Sequence, residues 1–339
     1  MEISKFHTVV ELPEYEWQSG YGIKNMFIGS CFTENVGNRM ANLKFDVDIN
    51  PFGILYNPVS VAASLQLLLE NRKFTADDLI QWKEIWHSFY HHGRFSSHHQ
   101  NEALDAINNR LEMSSKNLRE IGFLFITFGT AWVYRYKKTG QTVSNCHKIP
   151  AKEFERFRLP VESIVENYVQ ILSGLQQINP DLKVIFTVSP IRHWSDGAIE
   201  NQRSKSVLLL AIDEIIKQLG EDFCAYFPAY EIVMDELRDY RYYNEDMIHL
   251  TDFTINHIWE KFSERLLNRK SREVSKRVNK FIMAKNHRPQ QKGSSEYRNF
   301  IQTTLKQIDQ FSVEFPYINL TLEKEYFVSE FNETDNNMR

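Results

Sequence analysis

Short apolar segments rich in β-branched and aromatic residues alternate along this chain with longer segments whose apolar residues recur at helical spacing. The strand pattern covers residues 24–28, 45–49, 122–128, 183–188 and 223–227, and the helix pattern covers residues 33–43, 60–70, 103–118, 161–178 and 202–219. Strands that alternate with helices pair in parallel and carry helices on their faces. The alternation therefore predicts an α/β protein whose working residues follow the carboxyl ends of strands.

The composition is that of an ordinary globular protein and gives no sign of an unusual partner. Lys plus Arg total 40 and Asp plus Glu total 44 in 339 residues, so neither nucleic acid nor an anionic membrane is expected to bind. No apolar run approaches the ~20 residues of a membrane span. The first residues lack the pattern of a signal peptide, and three cysteines cannot all pair. These features predict a cytoplasmic protein with reduced thiols.

The C-terminal part has a different character from the rest. From Thr251 the pattern predicts one long helix, apolar on one face at first and basic after Leu267. We interpret the basic stretch as a solvated or domain-bridging helix face rather than a nucleic-acid patch. Another helix is predicted over 296–310, and residues 332–339 are expected to form a loose tail. The predicted division is a main domain over 1–267 and a helical extension over 268–339.

One candidate site lies in the turn after the first predicted strand. Gly29 permits a tight turn, and Ser30 and Cys31 follow it directly before a helix. The unpaired N–H groups of a helix start favour a thiolate and can also hold an oxyanion. The alternative interpretation is a tight turn that contains a buried cysteine.

A second candidate site precedes the last long helix. Asp246 lies three residues before His249 in a predicted loop. Acyl transfer needs a base that takes the proton of the nucleophile and a carboxylate that orients the base, and such a pair can supply both. Alternatively, Asp246 is exposed and His249 caps the helix.

The two sites, in this order, resemble the SGNH (GDSL-like) hydrolase superfamily and, more closely, the GSCFA family within it. The resemblance covers nearly the whole chain. It extends over Asn50-Pro51-Phe52-Gly53, Tyr56-Asn57-Pro58, His87-Ser88-Phe89, Arg94-Phe95-Ser96, Thr127-Phe128-Gly129-Thr130-Ala131-Trp132, Asn145-Cys146-His147, Ser189-Pro190-Ile191-Arg192-His193 and His287-Arg288-Pro289.

The resemblance implies a three-layer α/β/α flavodoxin-like parallel sheet and an esterase-type catalytic triad without a cofactor. The first superfamily block is Gly-Asp-Ser, and registering Gly29-Ser30-Cys31 on it places Cys31 at the nucleophile position. Ser30 is the alternative nucleophile. Asp246 and His249 carry over as the orienting acid and the general base.

The resemblance also indicates where an oxyanion would be held. Gly53 matches the glycine of the second block, and Gly129 matches that of the third. The third block lacks the usual asparagine here, so a donor must come from elsewhere or is absent. The other candidate oxyanion or substrate-binding residues are Thr130, Asn145, His147, Arg192 and His193.

Four histidines, His91, His92, His98 and His99, flank residues 93–97. A metal site needs ligands on one face with supporting contacts, so we expect no metal here and interpret some of these histidines as cleft residues. The predicted function is a hydrolase or acyltransferase for an ester or thioester, with a small-molecule or carbohydrate substrate. The alternative is a non-catalytic sugar- or peptide-binding module on a degenerate SGNH fold. The sequence leaves the oligomeric state open.

Overall fold

The computed structural model describes residues 8–287, 289, 291–292 and 294–337, and it contains a five-stranded parallel sheet at its centre. The strands of this sheet are β1 (Asn25–Gly29), β2 (Val47–Ile49), β5 (Phe123–Phe128), β9 (Lys183–Val188) and β10 (Cys224–Tyr226). All five correspond to segments with the predicted strand pattern.

The strand order is β2-β1-β5-β9-β10, and every pair is parallel. Numbered within the sheet, this is 2-1-3-4-5, the order of flavodoxin-like folds. The direction of winding reverses between β1 and β5. In such sheets the ligand crevice lies outside the carboxyl ends of the strands at this switch point. The predicted α/β class with a flavodoxin-like parallel sheet is confirmed.

Helices cover both faces of the sheet. They are α1 (Cys31–Asn42), α2 (Pro58–Leu69), α3 (Gln100–Leu118), α4 (Val161–Ile178), α5 (Gly197–Leu219), α6 (Ala229–Glu231) and α7 (Asp252–Leu266). Alternating strand residues divide the core, because Ile28 packs with α2 to α5 and Phe27 packs with α1 and α7. This division produces the three layers.

Two small antiparallel sheets lie outside the central one. The first pairs β3 (Ile80–Trp82) with β4 (Ile85–His87). The second contains β6 (Trp132–Tyr136), β7 (Thr142–Val143) and β8 (Phe154–Arg158), with β6 in the middle. The predicted hairpin of β6 and β7 is confirmed, whereas β8 was not predicted.

The single long helix predicted from Thr251 is wrong, because the chain breaks after α7 and resumes as α8 (Arg269–Asn286). Leu267 adopts an extended conformation and forms a parallel bridge with Ser19. The N–H of Ser19 donates to the carbonyl of Leu266 at 2.8 Å, and the N–H of Asn268 donates to the carbonyl of Ser19 at 2.9 Å. The Asn268 side chain then caps α8.

Two more helices follow, α9 (Ser295–Glu314) and α10 (Thr321–Asn337). The loose tail predicted from residue 332 is therefore wrong as far as residue 337, because the helix continues and its Phe327 is fully buried among apolar residues of α8 and α9. Arg288 of the quoted His-Arg-Pro motif and residues 338–339 lie outside the described residues. Among the residues that the structure describes, no helix is long and apolar enough to cross a membrane.

Candidate functional site

The first candidate turn is built by β1 and α1 at the carboxyl edge of the sheet. Gly29 ends β1 with φ +147°, and a Cβ there would lie 2.2 Å from the carbonyl oxygen of Thr127 on β5. Only glycine permits this approach. Ser30 is the N-cap residue and Cys31 is the first residue of α1. The turn is thus held tightly against the neighbouring strand, and the thiol is placed at a helix start.

Ser30 and Cys31 differ in accessibility. Ser30 is buried, and its hydroxyl has no hydrogen-bond partner within the described part of the chain. Cys31 is half-buried, and the N–H groups of Phe32 and of Cys31 itself lower the pKa of its thiol. The thiol is therefore the more accessible of the two nucleophiles.

The pKa of Cys31 is raised by its surroundings. Burial is the largest cause, and the carboxylate of Glu34 adds to it, whereas the two helix N–H groups and the charge of Lys205 lower the pKa. The helix start thus favours the thiolate as expected, but burial outweighs it. Because the thiol is protonated at neutral pH, a reaction at Cys31 needs a base.

Asp246 and His249 form a hydrogen-bonded pair. The Oδ2 of Asp246 lies 2.5 Å from the Nδ1 of His249, and its Oδ1 accepts the N–H groups of Ile248 and His249, both at 2.9 Å. The pKa of Asp246 is lowered to about 2, chiefly by the hydrogen bond from the imidazole and also by the two main-chain bonds. The carboxylate therefore stays charged and fixes the orientation of the ring.

The imidazole of His249 is open on its other side. Its Nε2 has no hydrogen-bond partner among residues 8–287 and the other described residues, and the side chain is 55% exposed. The cap of α7 comes from Thr251, whose side chain accepts the N–H of Thr254. His249 consequently does not cap the helix, whereas Asp246 is exposed, as the alternative interpretation expected.

Helix α7 runs antiparallel to the strands and so determines the edge at which His249 lies. Its last residue, Leu266, bonds to Ser19, whose hydroxyl in turn bonds to Asn25 at the start of β1. The end of α7 is therefore at the amino edge of the sheet. Its 15 residues rise about 22 Å, so its start and the preceding His249 lie toward the carboxyl edge, as Cys31 does.

The second-block turn is bonded directly to the first. The Oδ1 of Asn50 accepts the N–H of Gly29 at 2.9 Å, and the carbonyl of Asn50 accepts the N–H of Gly53 at 2.8 Å. Gly53 has φ +80°, and a Cβ there would lie 2.2 Å from the Cβ of His92. Arg94 bridges the Asn50 carbonyl and the carboxylate of Glu34 on α1. The predicted second block thus packs against the nucleophile turn.

The third-block residues Gly129 and Thr130 have their main-chain donors engaged. Both N–H groups donate to the carbonyl of Tyr56, at 2.7 and 3.0 Å. The hydroxyl of Thr130 lies 3.1 Å from that of Ser204 and accepts the N–H of Trp132. In this arrangement neither main-chain N–H is free to hold an oxyanion.

Asn145 and His147 belong to a different cluster. The side chain of Asn145 accepts the N–H of His147, whose Nε2 lies 2.8 Å from the carbonyl of Ser88 and whose ring stacks on His87 at 4.3 Å. Burial lowers the pKa of His147 to about 4, so the ring is neutral. Burial also raises the pKa of the adjacent Cys146 to about 11. These contacts join the turn to the end of β4.

His193 lies beside the third-block glycine. Its ring meets the ring of Tyr56 edge-on at 5.4 Å, and its Nε2 would lie 3.4 Å from a Cβ on Gly129. Burial lowers its pKa to about 4. The neighbouring Arg192 reaches the sulfur of Met234 at 3.0 Å. The loop after β9 therefore contributes a neutral ring and a cation to this edge of the sheet.

The four histidines that flank residues 93–97 have different surroundings. His91 is buried and stacks on Phe52 at 4.6 Å, and burial lowers its pKa to about 3. His92 packs on Gly53, whereas His98 lies 3.2 Å from the carbonyl of Glu84 and His99 precedes α3. No group of three metal-ligating side chains occurs in the described ranges.

Sequence reasoning missed two residues at this edge, Tyr56 and Lys205. In the sequence, Tyr56 is identified only as part of the Tyr56-Asn57-Pro58 motif. Lys205 lies on the apolar stripe of α5 with Leu208, Ile212 and Ile215, which is the signal that predicts its burial. It is fully buried, and its Nζ donates to the carbonyls of Gly129 and Ser189, both at 2.6 Å.

The fold and this edge define a layered α/β protein with a Gly-Ser-Cys turn after the first strand and an Asp-His pair before the last helix of the sheet. The model of the GSCFA family matches residues 24–262, and that of the GSCFA domain protein C-terminal domain matches residues 278–333. The chain belongs to the GSCFA family.

A comparison with curated proteins finds no match for the chain. Among solved structures, it is similar to an acetyl xylan esterase from the rumen bacterium Butyrivibrio proteoclasticus, with 11% identity and a TM-score of 0.35. The alignment covers 73% of this chain and 65% of the esterase, so the chain spans less than two thirds of that protein.

Proposed function

We propose that this protein is a hydrolase or acyltransferase of the SGNH superfamily that acts on an ester or thioester through an acyl-cysteine intermediate. The observation that carries the proposal is the Asp246–His249 pair, whose Nε2 has no hydrogen-bond partner among the described residues and which directly precedes α7. The direction of α7 supports a position of this pair toward the carboxyl edge, where Cys31 lies. A paired carboxylate holds the imidazole in the tautomer that can accept a proton at Nε2. A cytoplasmic location remains our proposal as well.

In the proposed reaction His249 takes the proton of the Cys31 thiol, and the thiolate attacks the carbonyl carbon of the ester. The N–H groups of Cys31 and Phe32, at the start of α1, are the proposed donors for the oxyanion. Collapse of the intermediate breaks the bond to the leaving alcohol or thiol, which takes the proton from His249. Water, or an acceptor hydroxyl, then gives its proton to His249 and attacks the thioester, which releases the acyl group and restores the thiol.

The burial of Ser30 supports Cys31 as the nucleophile. The N–H of Gly53 is engaged with the Asn50 carbonyl, so Gly53 is proposed to shape the second-block turn rather than to hold the oxyanion. Arg192 and His193 are proposed to contact the substrate. Because Gly129 and Thr130 are engaged with Tyr56, the site is proposed to work without a third-block donor. Loss of one such donor typically costs ~10²–10³ in rate, so we expect slow turnover of simple esters.

The engagement of Gly129 and Thr130 with Tyr56 also favours a second candidate, a non-catalytic sugar- or peptide-binding module on this fold. A site whose third-block donors are used internally can retain a cleft without retaining catalysis. Acyl-adduct formation separates the two candidates, because a binding module has no reason to form a covalent intermediate.

The test is intact-mass analysis after mixing with p-nitrophenyl acetate. Wild type, Cys31→Ala, Ser30→Ala and His249→Ala are run in parallel, with Cys146→Ala as the matched control for another half-buried thiol. We expect an acetyl adduct that is lost in Cys31→Ala, slowed in His249→Ala and unchanged in Cys146→Ala. Loss only in Ser30→Ala would assign the nucleophile to Ser30, and no adduct on any variant would favour the binding module.

A further inference from the structure

Lys205 is a fully buried lysine that the proposed reaction does not use. Removing an ammonium group from water is costly unless a charge or several hydrogen bonds replace the solvent. Within the described part of the chain, the partners of its Nζ are two carbonyl oxygens, those of Gly129 and Ser189, and no carboxylate pairs with it. The ring of Tyr230 lies 5.9 Å away. If Lys205 only linked these two carbonyls, a side chain with a neutral N–H donor would be sufficient.

The two carbonyls end adjacent strands at the switch point. Gly129 follows β5 and Ser189 follows β9, and these strands are paired in register up to Phe128 and Val188. On the other side of β5, Gly29 of β1 pairs with Thr127. The ammonium group therefore lies between the ends of β5 and β9, next to the strand that leads into Cys31.

The charges of Lys205 and Cys31 act on each other. Lys205 lowers the pKa of the thiol, and Cys31 raises the pKa of the ammonium. Burial and the charge of Arg192 oppose this and lower the pKa of Lys205 to about 7. His193 also faces this charge, and burial together with Lys205 keeps the ring neutral. The thiolate of Cys31 and the ammonium of Lys205 thus favour each other's charged form.

We propose that Lys205 is a positioning residue that joins the ends of β5 and β9 and supplies the buried positive charge that stabilises the Cys31 thiolate. This inference rests on the proposed function in taking Cys31 as the nucleophile. Lys205 is then an internal counter-ion of the thiolate, and its hydrogen bond to the Gly129 carbonyl attaches it to the third block. Such a charge stabilises the thiolate more strongly in a buried site than in water.

The test compares wild type with Lys205→Gln, because glutamine keeps an N–H donor for the carbonyls and removes the charge. Ser204→Ala is the matched control, since it removes buried hydrogen bonds to Thr130 and Ala131 without removing a charge. The rate of iodoacetamide alkylation is measured against pH by peptide mass spectrometry, with Cys146 as the internal reference. This readout needs no substrate, and it reports the ionisation of each thiol.

In Lys205→Gln we expect the inflection of the Cys31 profile to move to higher pH and the rate at neutral pH to fall by roughly tenfold, the effect of about one pKa unit. Cys146 is expected to react as in wild type, and Ser204→Ala to keep the wild-type Cys31 profile. An unchanged Cys31 inflection in Lys205→Gln would overturn the inference. So would an equal shift in Ser204→Ala, because the effect would then be structural.

The outcomes separate this inference from the proposed function. A shifted Cys31 profile without any acetyl adduct supports the charge coupling and rejects the enzyme. An acetyl adduct together with an unshifted profile rejects the coupling and leaves the enzyme. If Lys205→Gln does not fold, Lys205→Met, which fills the same buried space without a charge, is measured in the same way, and an unchanged Cys31 inflection in that variant would overturn the inference.

Discussion

The substitution Asp246→Asn tests the geometry of the proposed base while leaving its loop in place. An asparagine side chain retains an oxygen for the two main-chain N–H groups that Asp246 now accepts at 2.9 Å. The second position changes from an acceptor 2.5 Å from the His249 Nδ1 to an amide donor. The imidazole must then carry its proton on Nε2, where it can no longer accept one from a thiol.

The expected loss of acetylation rate follows from the three hydrogen bonds that the Asp246 carboxylate makes. Two of the three hydrogen bonds remain and the third is inverted, so the fold is retained and the tautomer is reversed. In a serine-protease triad the same reversal lowers kcat by about 10⁴, and we expect a loss of roughly 10³–10⁴ in the rate of Cys31 acetylation by p-nitrophenyl acetate. The assay is the single-turnover release of p-nitrophenolate, followed by intact mass.

The matched control is Asp213→Asn, an exposed carboxylate that pairs with Lys217 on α5. Both variants are expected to melt near the wild-type temperature, because exposed ion pairs contribute little. If Asp246→Asn acetylates Cys31 at the wild-type rate while Cys31→Ala forms no adduct, the Asp246–His249 pair is not the base and the reasoning fails.

Three further substitutions test the framework around the site. Gly29→Ala is expected to destabilise the protein by more than about 2 kcal/mol in urea unfolding, because its Cβ would meet the Thr127 carbonyl at 2.2 Å; wild-type stability would refute the tight approach of β1 and β5. Phe327→Ala is expected to cost about 3–5 kcal/mol, since its side chain is fully buried, whereas Leu322→Ala, at 63% exposed, should change little; equal effects would contradict the packing of α10. The pKa of His91 is lowered to about 3 by burial, so the unfolded chain binds its proton first, and stability is complete above the ordinary value of about 6.5 and declines as the pH falls toward 3. His91→Phe should make that decline less steep, and an unchanged slope would show that His91 is not buried in its neutral form.

The parts of the fold that the sequence predicts are those whose cause is local. The β-rich runs give β5 and β9, and the apolar stripe of α4 gives that helix with its observed bounds, 161–178. The break between α7 and α8 lies within a continuing helical pattern, and its local signal is weak, a change to basic residues and the N-cap residue Asn268. It depends on hydrogen bonds to Ser19, about 250 residues earlier in the chain. Tertiary hydrogen bonding therefore overrides helical periodicity at this point.

The contacts of the candidate site also fall into those that the sequence predicts and those that it does not. The Asp246–His249 pair could be predicted because its members are three residues apart and meet within one loop. The engagement of Thr130 with Ser204 and of Gly129 with Lys205 joins residues more than 70 positions apart, and no spacing in the sequence indicates these contacts. The motif around Gly129 identifies where the third block lies, but its main-chain donors are engaged by the carbonyl of Tyr56, and the Thr130 hydroxyl and Gly129 carbonyl are engaged by residues of α5.

The contact of Ser19 with the α7–α8 junction ties the N-terminal segment to the far end of the helix that follows the loop of His249. The carbonyl of Leu266 and the N–H of Asn268 hold one residue of the N-terminal segment from both sides. A protein truncated at the end of the first family match, residue 262, would therefore lose both anchors of that segment and the last turn of α7. The stretch between the two family matches, residues 263–277, therefore holds the N-terminal segment as well as linking α7 to α8.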